Sequence, residues 1–67
     1  MNELDLHSVR HKDAKQLIEQ YVYENRSNLL IRVIVGNSSR MRMIVIQCVK
    51  ELGYNTFEDK FTEVTIY

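Results

Sequence analysis

The sequence lacks several residues that shape larger or cross-linked proteins. Its 67 residues include no proline, no tryptophan, two glycines and one cysteine. It has no linker, repeat or low-complexity segment, so residues 1–67 are predicted to form a single domain, which excludes a multi-domain enzyme. A chain of this length buries only about 60% of its unfolded surface. We therefore expect marginal stability unless it oligomerises or binds a partner.

Motifs for disulfides, metals and membranes are also absent. Cys48 cannot close an internal disulfide, and neither a zinc spacing, a Ser/His/Asp triad nor a P-loop occurs. We expect no cofactor; a divalent metal is not indicated by the sequence and is left open. The chain begins with acidic and polar residues and has no apolar run of membrane-spanning length. The expectation is a cytoplasmic protein with no membrane partner.

The net charge is zero, yet the charges are unevenly placed. Residues 1–25 and 51–67 contain more acids than bases, whereas residues 26–50 contain five bases and no acid. This pattern predicts a local anion site rather than a surface that coats nucleic acid non-specifically.

The first half of the chain predicts a strand, a helix and a strand. Residues 4–7 alternate apolar and polar, which predicts a strand with two buried leucines and with Asp5 and His7 together on the other face. Residues 11–24 carry apolar side chains at helical spacing. Residues 29–35 form a nearly unbroken aliphatic run, typical of a covered strand.

The second half predicts a helix and a hairpin. Residues 39–52 carry a second apolar stripe, and Gly53 stands where a glycine closes a helix. Residues 55–57 and 62–67 are predicted strands, joined by a charged turn at residues 58–60. The order β-α-β-α-β-β predicts an α/β two-layer sandwich, in which a four-stranded mixed sheet carries both helices on one face.

This succession of motifs resembles the Smr (small MutS-related) domain family. Leu-Asp-Leu-His at residues 4–7 matches the opening motif of the family. Residues 31–36 resemble the strand that enters its HGxG-type loop, residues 41–45 the start of its second helix, and residues 62–66 its closing strand. The resemblance covers almost the whole chain.

The resemblance implies binding of RNA or DNA and an endonuclease that nicks DNA or cuts RNA. Asp5 and His7 retain the first motif and would supply the cleavage chemistry, and Gly36 is what remains of the second. Val35 stands where the family has the histidine of HGxG, and Arg10 stands at the usual Ser/Thr cap position. Loss of that histidine could leave binding without turnover.

Asp5 and His7 also suit acid/base chemistry on physical grounds. Two residues apart on a strand, they would share a face about 6 to 7 Å apart. A carboxylate there can fix the tautomer of an imidazole that titrates near neutrality. The alternative is that Asp5 caps a neighbouring backbone and His7 is a surface histidine.

The glycine loop is the second candidate site. It leads from a strand into a helix, where free N–H groups and the helix dipole attract anions. The alternative is an ordinary capped turn followed by solvated arginines. The candidate nucleic-acid-binding residues are Gly36, Asn37, Ser38, Ser39, Arg40 and Arg42, extended by Arg10 and Lys12 after the first strand.

Helix two carries apolar residues outside its buried stripe. Met43 lies nearly opposite the stripe on a helical wheel, and Ile46 lies on one flank. They favour contact with a second copy, as a homodimer, or with a protein partner. The alternative function is therefore a non-catalytic protein-interaction module acting through helix two.

Overall fold

The computed structural model describes residues 2–67, which form four strands and two helices. The strands are β1 (Asn2–Asp5), β2 (Ile31–Ile34), β3 (Thr56–Lys60) and β4 (Glu63–Ile66), and the helices are α1 (His11–Glu24) and α2 (Ser39–Glu51). The predicted order β-α-β-α-β-β is confirmed.

The four strands form one mixed sheet in the order β1-β2-β4-β3. β1 is parallel to β2, whereas β4 is antiparallel to both β2 and β3. Alternate residues on the two central strands are buried, namely Ile31, Val33, Val64 and Ile66. One face of the sheet is thus covered by the helices, which confirms the two-layer sandwich.

The core is built from aliphatic side chains at the expected periodicities. α1 contributes Ala14, Ile18 and Val22, spaced four residues apart. α2 contributes Met41, Val45, Cys48 and Val49. Cys48 is therefore a buried core residue, as its place in the apolar stripe predicted.

The hairpin turn is displaced from its predicted position at residues 58–60. β3 continues through Lys60, which pairs with Glu63, and the chain turns at Phe61 and Thr62. Glu58 and Lys60 are exposed, as suits charged residues on an edge strand. Glu58 reaches Arg42 of α2, with 3.6 Å between Oε1 and Nη1, so this acid anchors the strand to a helix.

The two helices begin differently. Ser38 caps α2, since its Oγ accepts a hydrogen bond from the backbone N–H of Met41 at 3.0 Å. Arg10 at the start of α1 makes no side-chain cap. Gly53 follows α2 with φ +91°, the conformation expected of a closing glycine.

The other face of the sheet carries charges. Arg32 on β2 lies between two acids, 3.3 Å from Glu3 on β1 and 3.4 Å from Glu63 on β4. These ion pairs join three neighbouring strands on the face that the helices leave open.

Of the two apolar residues predicted on the outer surface of α2, only one is exposed. Met43 is 58% exposed, as its place on the helical wheel predicted. Ile46 is instead half-buried and packs against the core, because the flank on which it lies still meets the layer beneath. Neither helix of the described residues is long and apolar enough to cross a bilayer.

Candidate nucleic-acid interface

The loops that follow β1 and β2 meet at one edge of the sheet. Because the strands are parallel, their carboxyl ends lie side by side, and the backbone N–H of Leu6 donates to the carbonyl of Ile34 at 2.8 Å. A Cβ placed on Gly36 would lie 3.1 Å from Cβ of His7. The structure thus brings His7 and the glycine loop into contact.

The side chains of Asp5 and His7 contact each other directly, whereas the sequence predicted them on one face of a strand without contact. β1 ends at Asp5 and the chain turns at His7, which shortens the expected separation. Oδ1 of Asp5 accepts a hydrogen bond from the backbone N–H of His7 at 3.0 Å and another from its Nδ1 at 2.5 Å. The carboxylate therefore both caps the turn and orients the imidazole.

The hydrogen bond from the His7 side chain holds the pKa of Asp5 below its ordinary value of 3.8, and the backbone hydrogen bond from His7 adds to this effect. Both side chains are about half exposed, 60% for His7 and 49% for Asp5. An ionised carboxylate on Nδ1 favours the tautomer that leaves Nε2 free to accept a proton. The pair is thus accessible to a ligand at the sheet edge.

The start of α2 lies against the start of α1. Oγ of Ser38 is 3.5 Å from Nε2 of His11, the first residue of α1. Asn37 and Ser39 are exposed on either side of Ser38. His11 was not among the predicted site residues. Its position in the sequence, at the end of the loop that follows β1, could have placed it at this edge.

Arg40 and Arg42 lie on different flanks of α2. Arg40 is exposed and lines a groove between the helices together with Lys15 and Met43. Arg42 turns toward the hairpin, where its guanidinium lies 4.7 Å from the centre of the Phe61 ring. The structure does not bring the two arginines together.

Arg10, in the loop that follows β1, and Lys12, in the first turn of α1, are both exposed. Together with Arg40, they take part in none of the ion pairs that the described residues form. These three cations are consequently available to an anionic ligand. Within residues 2–67, no group of three or more His, Cys, Asp or Glu side chains is placed to hold a metal ion.

Comparison with known proteins does not assign the chain to a family. No protein-family model matches the chain, and no curated protein or solved structure matches it significantly.

Proposed function

We propose that the chain is an Smr-like domain that binds RNA or DNA at the edge where β1 and β2 end. The observation that carries the proposal is the contact of Gly36 with His7, which joins the Asp5–His7 pair to the glycine loop. The motif at residues 4–7, the strand leading into Gly36 and the order of elements support membership of that family.

Phosphate binding is supported by the charges around this edge. The first turn of α2 presents backbone N–H groups, and Ser39 adds an exposed hydroxyl. Arg10 and Lys12, at the start of α1, supply cations that form no ion pair with the acids the structure describes. Arg42 is held by Glu58, so in this proposal it contributes less to phosphate binding than Arg10 and Lys12 do.

A nuclease reaction would use the two imidazoles at the edge. Nε2 of His7 would take the proton from the nucleophile that attacks phosphorus, the 2′-hydroxyl of RNA or a water molecule for DNA, while Asp5 orients the ring and stabilises its charged form. His11, which touches Ser38 in the glycine loop, would give a proton to the leaving oxygen. In this proposal His11 supplies the second imidazole that Val35 does not.

Binding is tested by fluorescence titration of labelled single-stranded RNA, duplex DNA and branched DNA at two salt concentrations. Arg10→Ala/Lys12→Ala should weaken binding across sequences and reduce the slope of log K against log salt by about 0.7 to 0.9 per lost phosphate contact. Arg26→Ala/Lys50→Ala, which removes the same charge at the other ends of the helices, is the control. Equal behaviour of the two double variants would contradict the proposed interface.

Cleavage is tested separately with the same substrates, with and without Mg²⁺. His7→Ala and Asp5→Ala should each reduce cleavage far more than binding, because both residues act on the transition state. If the wild type binds these substrates but leaves them all intact, the domain is a binding module and the catalytic roles are wrong.

Self-association through α2 is the second candidate function. Arg40, Met43, Gln47 and Glu51 line a groove of about 450 Å³ between the helices. The stripe begins with the cation Arg40 and ends with Glu51, whose Oε1 lies 4.0 Å from Nζ of Lys15 on α1, so an antiparallel copy would add a second cation to that acid. Arg40 would then face Glu51 of the partner subunit across a two-fold axis, with Met43 near the centre.

Sedimentation at micromolar concentration tests this second candidate. Met43→Glu should shift a dimer to monomer, while Met43→Leu should not. Arg40→Glu should weaken the dimer, and Arg40→Glu/Glu51→Arg should restore it because the charges are exchanged. A wild type that sediments as a monomer would eliminate the candidate.

A further inference from the structure

The turn between β3 and β4 reaches the same edge as the Asp5–His7 pair. The backbone N–H of Val35, just before the glycine loop, donates to the carbonyl of Thr62 in that turn at 2.8 Å. Across the sheet, Asp5, Ile34, Glu63 and Lys60 are paired in one row. With strands about 4.8 Å apart, this row extends about 14 Å from Asp5 to the hairpin.

Phe61 occupies this turn with its ring half exposed, at 49%. Turns usually carry small polar residues, so an aromatic residue with half of its surface exposed is unusual there. The guanidinium of Arg42 lies over the ring, 4.7 Å from its centre, and Glu58 holds Arg42 in turn. The cation–π contact orients the ring and leaves the rest of it in contact with solvent.

We infer that Phe61, oriented by Arg42, is a stacking platform for an unpaired base of single-stranded nucleic acid. The inference rests on the proposed function, since the backbone of the same strand would pass Asp5 and His7. Every base has a flat face that an aromatic side chain can stack on, whereas bases inside a duplex are covered by their neighbours. The preferred ligand class is therefore single-stranded RNA or DNA rather than duplex.

Phe57 provides a matched control for this inference. It is also a phenylalanine on β3 and is exposed to a similar extent, at 57%. On this edge strand it pairs with Thr65 of β4, four residues before Phe61 and away from the turn. A general effect of removing an exposed ring would be seen in both variants, whereas base stacking is expected only at Phe61.

The experiment measures fluorescence anisotropy of labelled oligothymidylate, of an abasic strand of the same length and of a blunt duplex. Phe61→Ala should weaken binding of oligothymidylate about tenfold, the effect of losing one stacked base. Its affinity for the abasic strand and its salt slope should not change, because no phosphate contact is lost. Phe57→Ala should match the wild type on all three probes.

The outcomes separate this inference from the function on which it rests. If Phe61→Ala and Phe61→Leu both bind oligothymidylate as the wild type does, the platform is wrong while the proposed interface stands. Equal wild-type affinity for the oligothymidylate and abasic strands would also overturn it. A wild type that binds neither these probes nor the single-stranded RNA and branched DNA of the earlier titration would overturn both proposals. Phe61→Leu keeps an apolar side chain, so it preserves the test if the alanine variant unfolds.

Discussion

At the residue scale, Asp5 accepts two hydrogen bonds from His7, and this determines how the pair responds to pH. The folded state lowers the pKa of Asp5, so the contribution of the pair to stability is complete above the unfolded value, near 3.8. It is lost as the pH falls through the lower folded pKa. We expect an NMR titration of the Asp5 carboxyl carbon to show a midpoint below 3.8.

His7→Ala should move that midpoint back toward the ordinary value, since both hydrogen bonds place His7 beside the carboxylate and the stronger one comes from its ring. His11→Ala is the control, because His11 contacts Ser38 instead. An Asp5 midpoint that is the same in His7→Ala and in the wild type would show that the ring does not stabilise the carboxylate.

Gly36 and Gly53 both adopt a positive φ, +67° and +91°, but only Gly36 is crowded. Alanine at either position should cost about 1 to 2 kcal/mol, the strain of a left-handed conformation. Gly36→Ala should also push on His7, whose Cβ would lie 3.1 Å away, whereas Gly53→Ala meets nothing within 4 Å.

Thermal unfolding measures the stability of these two variants, and the NMR resonances of the His7 ring report its position. We expect the resonances to shift in Gly36→Ala and to stay in place in Gly53→Ala. Resonances that do not change in Gly36→Ala would mean that the glycine loop does not position His7.

At the element scale, substitutions at the two helix starts should change stability in opposite directions. Ser38→Ala removes the hydrogen bond to the backbone of Met41 and should destabilise the domain by about 1 kcal/mol. Arg10 already has the extended backbone of a cap, with φ −67° and ψ 143°, but makes no side-chain cap. Arg10→Ser should therefore stabilise α1 by about 0.5 to 1 kcal/mol.

Chemical denaturation measures both effects, with Ser39→Ala as the control because Ser39 is exposed and is not the cap. Equal losses in Ser38→Ala and Ser39→Ala would show that the hydroxyl of Ser38 does not cap the helix in solution.

The helices were the most predictable elements because their apolar spacing is repeated over several turns. α1 has the predicted bounds, and α2 ends one residue earlier than predicted. The predicted position of the hairpin turn was wrong, because residues 58–60 have the composition of a turn but belong to β3. What places these charges on a strand is backbone pairing with β4, in which Lys60 pairs with Glu63, and a one-dimensional pattern does not contain that pairing.

The meeting of His7 with Gly36 could be expected, since parallel strands end at the same edge of a sheet. The orientation of Arg42 toward Phe61 could not, because it depends on which flank of α2 faces the hairpin. The contact between Arg42 and Phe61 can be inferred only when the positions of β3 and β4 relative to α2 are known.

At the scale of the whole molecule, a chain of this size has little stability to lose. Stability of about 0.05 to 0.15 kcal/mol per residue gives a total of roughly 3 to 10 kcal/mol. Ile18 is fully buried, and Ile18→Ala should cost about 2 to 5 kcal/mol, enough to unfold much of the population. Ile18→Val should cost about 0.5 to 1.5 kcal/mol.

Circular dichroism with denaturant titration measures these losses. Leu17→Ala is the control, because Leu17 neighbours Ile18 on α1 but is 37% exposed. An Ile18→Ala variant as stable as Leu17→Ala would mean that α1 is not packed on the sheet as described.

The ion pairs of Arg32 on the open face bear on how the sheet avoids misalignment. As partly exposed pairs, they are worth only about 0 to 1 kcal/mol each to the finished fold. If β2 slipped by one residue, however, side-chain alternation would turn Arg32 into the apolar layer. An unpaired charge there would cost several kcal/mol. Because β2 lies between β1 and β4, Arg32 disfavours a one-residue shift of β2 against either neighbour.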